Sequence, residues 1–225
     1  MPSTYLLVLL ASAAVPALLT AIRFVDVDLR RAFSAIILVA IPFVIWDVLA
    51  TERGDWGFSG EHLIGIYLLG LPVEEVLFFI IVPFCCIFLY ECTALLIKEK
   101  PVAFRPWMMA VPTAVALAIM LANIGRAYTV LACLAFTASC IALALAAPHA
   151  MFSRRFWLYM GLSFAGFLIV NTALTAPPIV HYNSSAITGL RIGTIPAEDF
   201  LYNFALLTFL AFAYIRSSRQ HADSQ

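Results

Sequence analysis

Seven apolar runs, at roughly residues 4–22, 32–50, 73–97, 107–123, 128–147, 156–175 and 196–215, divide this chain, and each approaches or reaches the ~20 helical residues that cross a bilayer. Charged residues or Pro, Gly and Asn separate them. In lipid only helices and closed barrels satisfy their own backbone, and barrel strands need only ~10 residues. The runs therefore predict an all-α integral membrane fold with about seven transmembrane helices. Composition agrees: 64% of the 225 residues are hydrophobic and 12% charged, with a mean hydropathy of +0.99. The first run has no basic residue before it and the second follows closely, so it reads as a helix and not as a signal peptide.

Thirteen basic and thirteen acidic residues cancel, leaving no field to attract nucleic acid. Ten of the basic residues follow runs one, three, five and seven, and three (Arg53, Arg126 and Arg191) lie on the opposite side. Short cytoplasmic loops hold the excess of Lys and Arg. The expected orientation is a multi-pass protein of the cell membrane with its N-terminus outside and its C-terminus in the cytoplasm.

Shifting the sequence by 124 residues superposes its halves without a gap. Arg30 and Arg31 fall on Arg154 and Arg155, Asp47–Thr51 on Asn171–Thr175, and Gly65 on Gly189. Leu71-Pro72-Val73-Glu74-Glu75 falls on Ile195-Pro196-Ala197-Glu198-Asp199. The organisation expected is a three-helix unit over 1–100, a linker helix over 101–125 and a second unit over 126–225. A shift of four helices leaves both units in the same orientation, related by an axis along the membrane normal.

In each acidic motif proline opens a helix, where its missing N–H costs nothing. Glu74, Glu75, Glu198 and Asp199 could simply complement the helix dipole, at about 0.3–1 kcal/mol each. Their duplication and their position leading into apolar helix point instead to function, because ionised groups there are costly. Neighbouring helical residues point about 100° apart, so one acid of each pair should face the bundle interior while the other bonds to the loop. The sequence does not decide which. Phe78 and Phe79 follow the first pair by four positions, and Tyr202 and Asn203 the second. Acid and aromatic faces together suit a site that donates a proton in dry surroundings and then stabilises a carbocation.

The loop before the first motif carries Trp46, Asp47, Trp56, Phe58 and Tyr67; its counterpart carries Asn171, His181, Tyr182 and Arg191. These residues form either lids over the acids or a polar and aromatic collar. His181 has no second His or Cys near it in sequence, so no metal site is expected. Asp26 and Asp28 read as a solvated loop. Cys85, Cys86, Cys92, Cys133 and Cys140 show no metal or disulfide spacing and read as small buried apolar groups.

The stretch from Trp46 to Glu91, WDVLATERGDWGFSGEHLIGIYLLGLPVEEVLFFIIVPFCCIFLYE, and the later IGTIPAEDFLYNFALL resemble the membrane lycopene cyclases of the carotenoid pathway. In that family two homologous three-helix units occur as separate subunits or as one fused chain, and this sequence resembles the fused form over almost its full length. The resemblance implies lycopene or a related acyclic carotenoid as substrate, converted to β-ionone rings without net redox change. It extends to Pro72, Glu74 and Glu75, to Pro196, Glu198 and Asp199, and to Asp47 and Trp56-x-Phe58. The second unit departs from the first, with Asn171 for Asp47 and Val180 for Trp56, which leaves open whether both halves catalyse.

The chemistry expected is protonation of an alkene by a neutral carboxylic acid, with water excluded. Substrate contacts are expected from Trp46, Asp47, Trp56, Phe58, Phe78, Phe79, Asn171, Tyr182 and Tyr202. No dinucleotide fingerprint is present, so no cofactor is expected. The partners expected are the carotenoid and the lipid bilayer, with homo-oligomers or association with other carotenoid enzymes left open. Rival readings are a carotenoid hydratase, a transporter, and a prenyltransferase, for which Asp26-x-Asp28 is too sparse.

Overall fold

The structure is a computed structural model that describes residues 3–102, 105–145 and 152–222. Seven α-helices run through the described residues: α1 (Thr4–Ala21), α2 (Leu29–Arg53), α3 (Val73–Leu96), α4 (Ala110–Ala122), α5 (Ala127–Leu145), α6 (Arg154–Thr175) and α7 (Ala197–Ala222). Side-chain caps start three of them. Ser3 accepts from the Leu6 N–H, Asp28 from Arg31 and Ser153 from Phe156, each satisfying an orphan donor of a first turn. Asp28, expected in a solvated loop, thus starts α2. Gly54 ends that helix at φ 76°, the left-handed conformation that costs glycine least.

Six helices are long and apolar enough to cross a membrane, and the linker is a shorter apolar helix, Trp107–Ala122. Its 16 residues reach only about 24 Å at about 1.5 Å each, less than a hydrocarbon core of about 30 Å. The segment from Ile97 to Arg126 nonetheless connects the two ends of the bundle. Helix α3 finishes beside Arg31 and Arg155, which contact its Glu91, whereas α5 opens beside the acidic motifs, where Tyr128 meets Asp199. Both three-helix units therefore run in the same direction.

Helices α3 and α7 form the centre. The first packs on α1, α2 and α6, the second on α5, α2 and α6, and the two meet each other. The bundle buries rings and branched side chains such as Ile87, Phe156, Tyr159, Leu210 and Tyr214 in its largest cluster. Its outer surface is also apolar: Leu38, Val111, Leu121 and Ile169 are all more than 60% exposed. Exposing such side chains to water would forfeit about 1.5–3 kcal/mol apiece. In lipid they simply face the solvent.

Short strands cover the end of the bundle that carries the acids. β1 (Trp56–Phe58) pairs antiparallel with β4 (Val180–Tyr182), with Gly57 opposite His181. Those two positions are themselves 124 residues apart, so the strands cross on the axis that relates the repeats. Equivalent side chains would collide there. Glycine removes one of them, since a Cβ on Gly57 would lie 2.8 Å from His181 Nε2. Each repeat also forms a hairpin into its motif: β2 (Tyr67–Leu68) with β3 (Leu71–Pro72), and β5 (Arg191–Ile192) with β6 (Ile195–Pro196). The axis reappears at the opposite end. Arg31 of α2 lies over Tyr214 of α7 at 3.7 Å, and the equivalent Arg155 of α6 lies over Tyr90 of α3 at 5.2 Å.

Candidate active site

The two acids of each motif point in different directions. Glu74 accepts a hydrogen bond from the Ile64 N–H at 2.6 Å, and the equivalent Glu198 accepts from the Thr188 N–H at 2.6 Å and from the Thr129 hydroxyl at 2.7 Å. Both are almost fully buried, and both tie the preceding loop to the helix start. Pro72 and Pro196 lie two positions earlier, pairing with Tyr67 and Arg191 in the hairpins.

Glu75 and Asp199 turn inward and line one common cavity of about 360 Å³. Their surroundings differ. Glu75 accepts from the buried Tyr5 hydroxyl of α1 at 2.5 Å, and the buried Asp47 lines the same cavity. Asp47 in turn accepts from the Trp56 indole at 2.8 Å and from Thr51 at 3.2 Å. Asp199 receives donors alone: Tyr128 at 2.5 Å, Tyr182 at 2.7 Å and the Asn171 amide at 2.8 Å. Three donors on one carboxyl match an ionised carboxylate. Burial, then the neighbouring Asp199 charge, push the Tyr182 phenol well above its ordinary range, so it stays a donor at neutral pH.

Replacing Asp47 by Asn171 between the repeats thus changes the chemistry. A second carboxyl in the cavity of one half becomes an amide that donates to Asp199 in the other.

Of the residues predicted to contact substrate, Asp47, Trp56, Phe58, Phe78, Asn171, Tyr182 and Tyr202 line the cavity. Trp46 and Phe79 pack behind it with Val39, Phe43 and Leu206. The shared-face reading of the helix starts is adjusted by this geometry: α3 presents Glu75 with Phe78, three positions on, and α7 presents Asp199 with Tyr202 and Asn203. At 3.6 residues per turn, offsets of three and four both keep roughly to one face, and packing decides between them.

Rings crowd the site. Trp56 meets Tyr128 edge-on at 4.8 Å, and Tyr128 stacks on Tyr182 with centroids 5.9 Å apart. The two loops close over the acids as one cover, tied by the β1–β4 ribbon and by hydrogen bonds from Asn183 to the Asp55 and Gly54 carbonyls. Among the described residues no group of three or more His, Cys, Asp or Glu side chains is arranged to hold a metal ion.

Tyr5 and Tyr128 are the site residues that sequence reading missed. The repeat offset places Thr4-Tyr5 on Tyr128-Thr129. A hydroxyl pair recurring in reversed order at the start of two apolar helices is a signal that register matching alone passes over.

These features define an integral membrane protein, duplicated and pseudo-symmetric, whose carboxyls stand at the covered end of an apolar, aromatic-lined cavity. The sequence model of the family described as lycopene cyclase matches residues 2–93 and 125–215, one stretch in each repeat. The chain belongs to the lycopene cyclase family, and its role is that of a cyclase of carotenoid biosynthesis. Searches of curated proteins and of solved structures found no match.

Proposed function

We propose that the protein converts the acyclic end groups of lycopene or a close relative to β-ionone rings by a proton-initiated cyclisation without redox change. The observation that carries this reading is a pair of buried carboxyls, Asp47 and Glu75, in one ring-lined cavity, where two like charges away from water favour holding one proton between them.

Glu75 delivers the proton to the terminal double bond, generating a tertiary cation. The next double bond along the chain attacks that cation and closes the ring. A ring proton then leaves, so the substrate and product are isomers. Asp47 holds the proton-bearing partner and is itself held by Trp56. Asp199, kept as a carboxylate by its three donors, opposes the developing positive charge and receives the departing proton, which returns to Glu75 before the next turnover. Tyr128, Tyr182 and Trp56 supply ring faces to the cation. In this scheme Glu74 and Glu198 hold the loops over the site, and the reaction calls for neither metal nor nicotinamide.

The clustering of Arg30, Arg31, Arg154 and Arg155 at the opposite end supports placing the acids at the non-cytoplasmic leaflet. Glu75→Gln keeps size and removes the proton, and its cyclisation of lycopene in lipid is expected to fall by a factor on the order of 10² or more. Near-parental turnover by folded Glu75→Gln would refute the assignment.

A hydratase is the second reading, because the Asn203 amide nitrogen is buried without a partner among the described residues and lines the cavity, where it could hold a water. Product chromatography separates the two: a hydroxylated acyclic product in place of a ring would favour it.

A further inference from the structure

The cavity is elongated, and both repeats contribute to its walls. It follows α3 from Glu75 to Leu89, about 21 Å of helix at about 1.5 Å per residue, with walls from α1 and α6. The acids stand at its covered end. The rest is apolar, and small residues, Ser12 of α1 and Gly166 of α6, form part of the wall. Ile169 also lines it while 72% exposed on the lipid-facing surface, so the cavity opens sideways into the bilayer.

The repeat predicts a counterpart between α5, α7 and α2, and there the equivalent positions are large. Ser12 becomes Phe136, Cys85 becomes Phe209 and Val170 becomes Trp46. Phe136 packs on Phe204 with centroids 5.0 Å apart, Trp46 on Tyr202 at 4.9 Å, and Phe209 joins the same apolar cluster as Trp46. Both inward acids, Glu75 and Asp199, therefore serve the groove between α1, α3 and α6.

We propose that this α1–α3–α6 groove is the specificity-determining element: it admits an acyclic polyene sideways from the lipid and holds its unreacted length, while Phe136, Phe209 and Trp46 close the symmetric alternative. The duplicated protein then has one chamber and cyclises one end group at a time. A second ring requires release and return of the molecule in the reverse direction. The proposal rests on the cyclase reading for its turnover assays, and a binding assay stands apart from it.

A Cβ on Gly166 meets nothing within 4 Å, so a side chain there fills the groove without backbone strain. In purified protein in lipid, Gly166→Trp and Ser12→Phe should lower cyclisation of lycopene about tenfold or more. Turnover of a short acyclic isoprenoid carrying the same end group should stay within about twofold, because only the chamber is needed. Leu121→Ala, on the lipid-facing surface of α4 and outside the groove, should leave both activities near parental. Binding of lycopene, read from quenching of tryptophan fluorescence, should be lost in Ser12→Phe. With excess lycopene, free monocyclic product should precede any bicyclic product.

Unchanged lycopene binding and turnover in folded Ser12→Phe and Gly166→Trp would overturn the groove, as would equal loss on the short and long substrates. Bicyclic product formed before free monocyclic product would overturn the single chamber. Wild-type protein that binds lycopene, loses that binding in Ser12→Phe and yet forms no ring would refute the cyclase reading and leave the groove standing.

Discussion

Asp47 and Asn171 differ by one atom type, and that difference accounts for two equivalent positions having unlike chemistry. In the proposed scheme an Asp beside Glu75 shares a proton with it, whereas an Asn beside Asp199 donates to that carboxyl. Asp47→Asn should therefore convert the first half to the arrangement of the second, leave folding intact and lower cyclisation on the order of 10², measured by pigment chromatography per folded molecule. Glu74→Ala should act differently. It removes the acceptor of the Ile64 N–H, a bond worth about 0.5–1.5 kcal/mol, and should appear as a lower melting temperature while the folded fraction keeps most of its turnover. The acidic pairs were legible from the sequence because they recur at one offset. Which member faces inward was not, because helix rotation is set by the packing of α3 and α7 against distant helices.

The hairpins leading into α3 and α7 are nearly the same element built twice, with one informative difference in their turns. Leu69 and Gly70 both have positive φ, at 53° and 83°, whereas at the equivalent positions glycine comes first, Gly193 at 63°. A leucine in the left-handed region costs about 1–2 kcal/mol relative to glycine. Leu69→Gly should therefore raise thermal stability and Gly193→Leu lower it, each read as a shift in melting temperature. Short-range chemistry of this kind is partly readable from Gly and Pro. The pairing of β1 with β4 is not, because the strands are three residues each and lie more than a hundred positions apart. The linker helix lies where its apolar run does, Trp107–Ala122 against 107–123, with one tight turn over Pro106–Met109 leading into α4.

At the scale of the whole molecule, duplication made the architecture legible, since two matching units in one orientation leave few arrangements of six long helices. What the sequence did not disclose is that the halves converge on one cavity, which depends on which side chains fill the space between α1 and α6 and between α5 and α2. Orientation can be tested in cells: cysteines introduced at Ser59 and Asn183, in a background lacking the native cysteines, should be labelled from the non-cytoplasmic side, and labelling only from the cytoplasm would reverse the proposed topology. The central claim is that a carboxylic proton at Glu75 drives ring closure in an apolar chamber. Its most direct measurement is pigment chromatography of a lycopene-accumulating host expressing either the parental protein or Glu75→Gln at equal, membrane-inserted levels. The account predicts β-ring carotenoids from the parental protein and unchanged lycopene from Glu75→Gln; rings formed equally by both, or by neither, would contradict it.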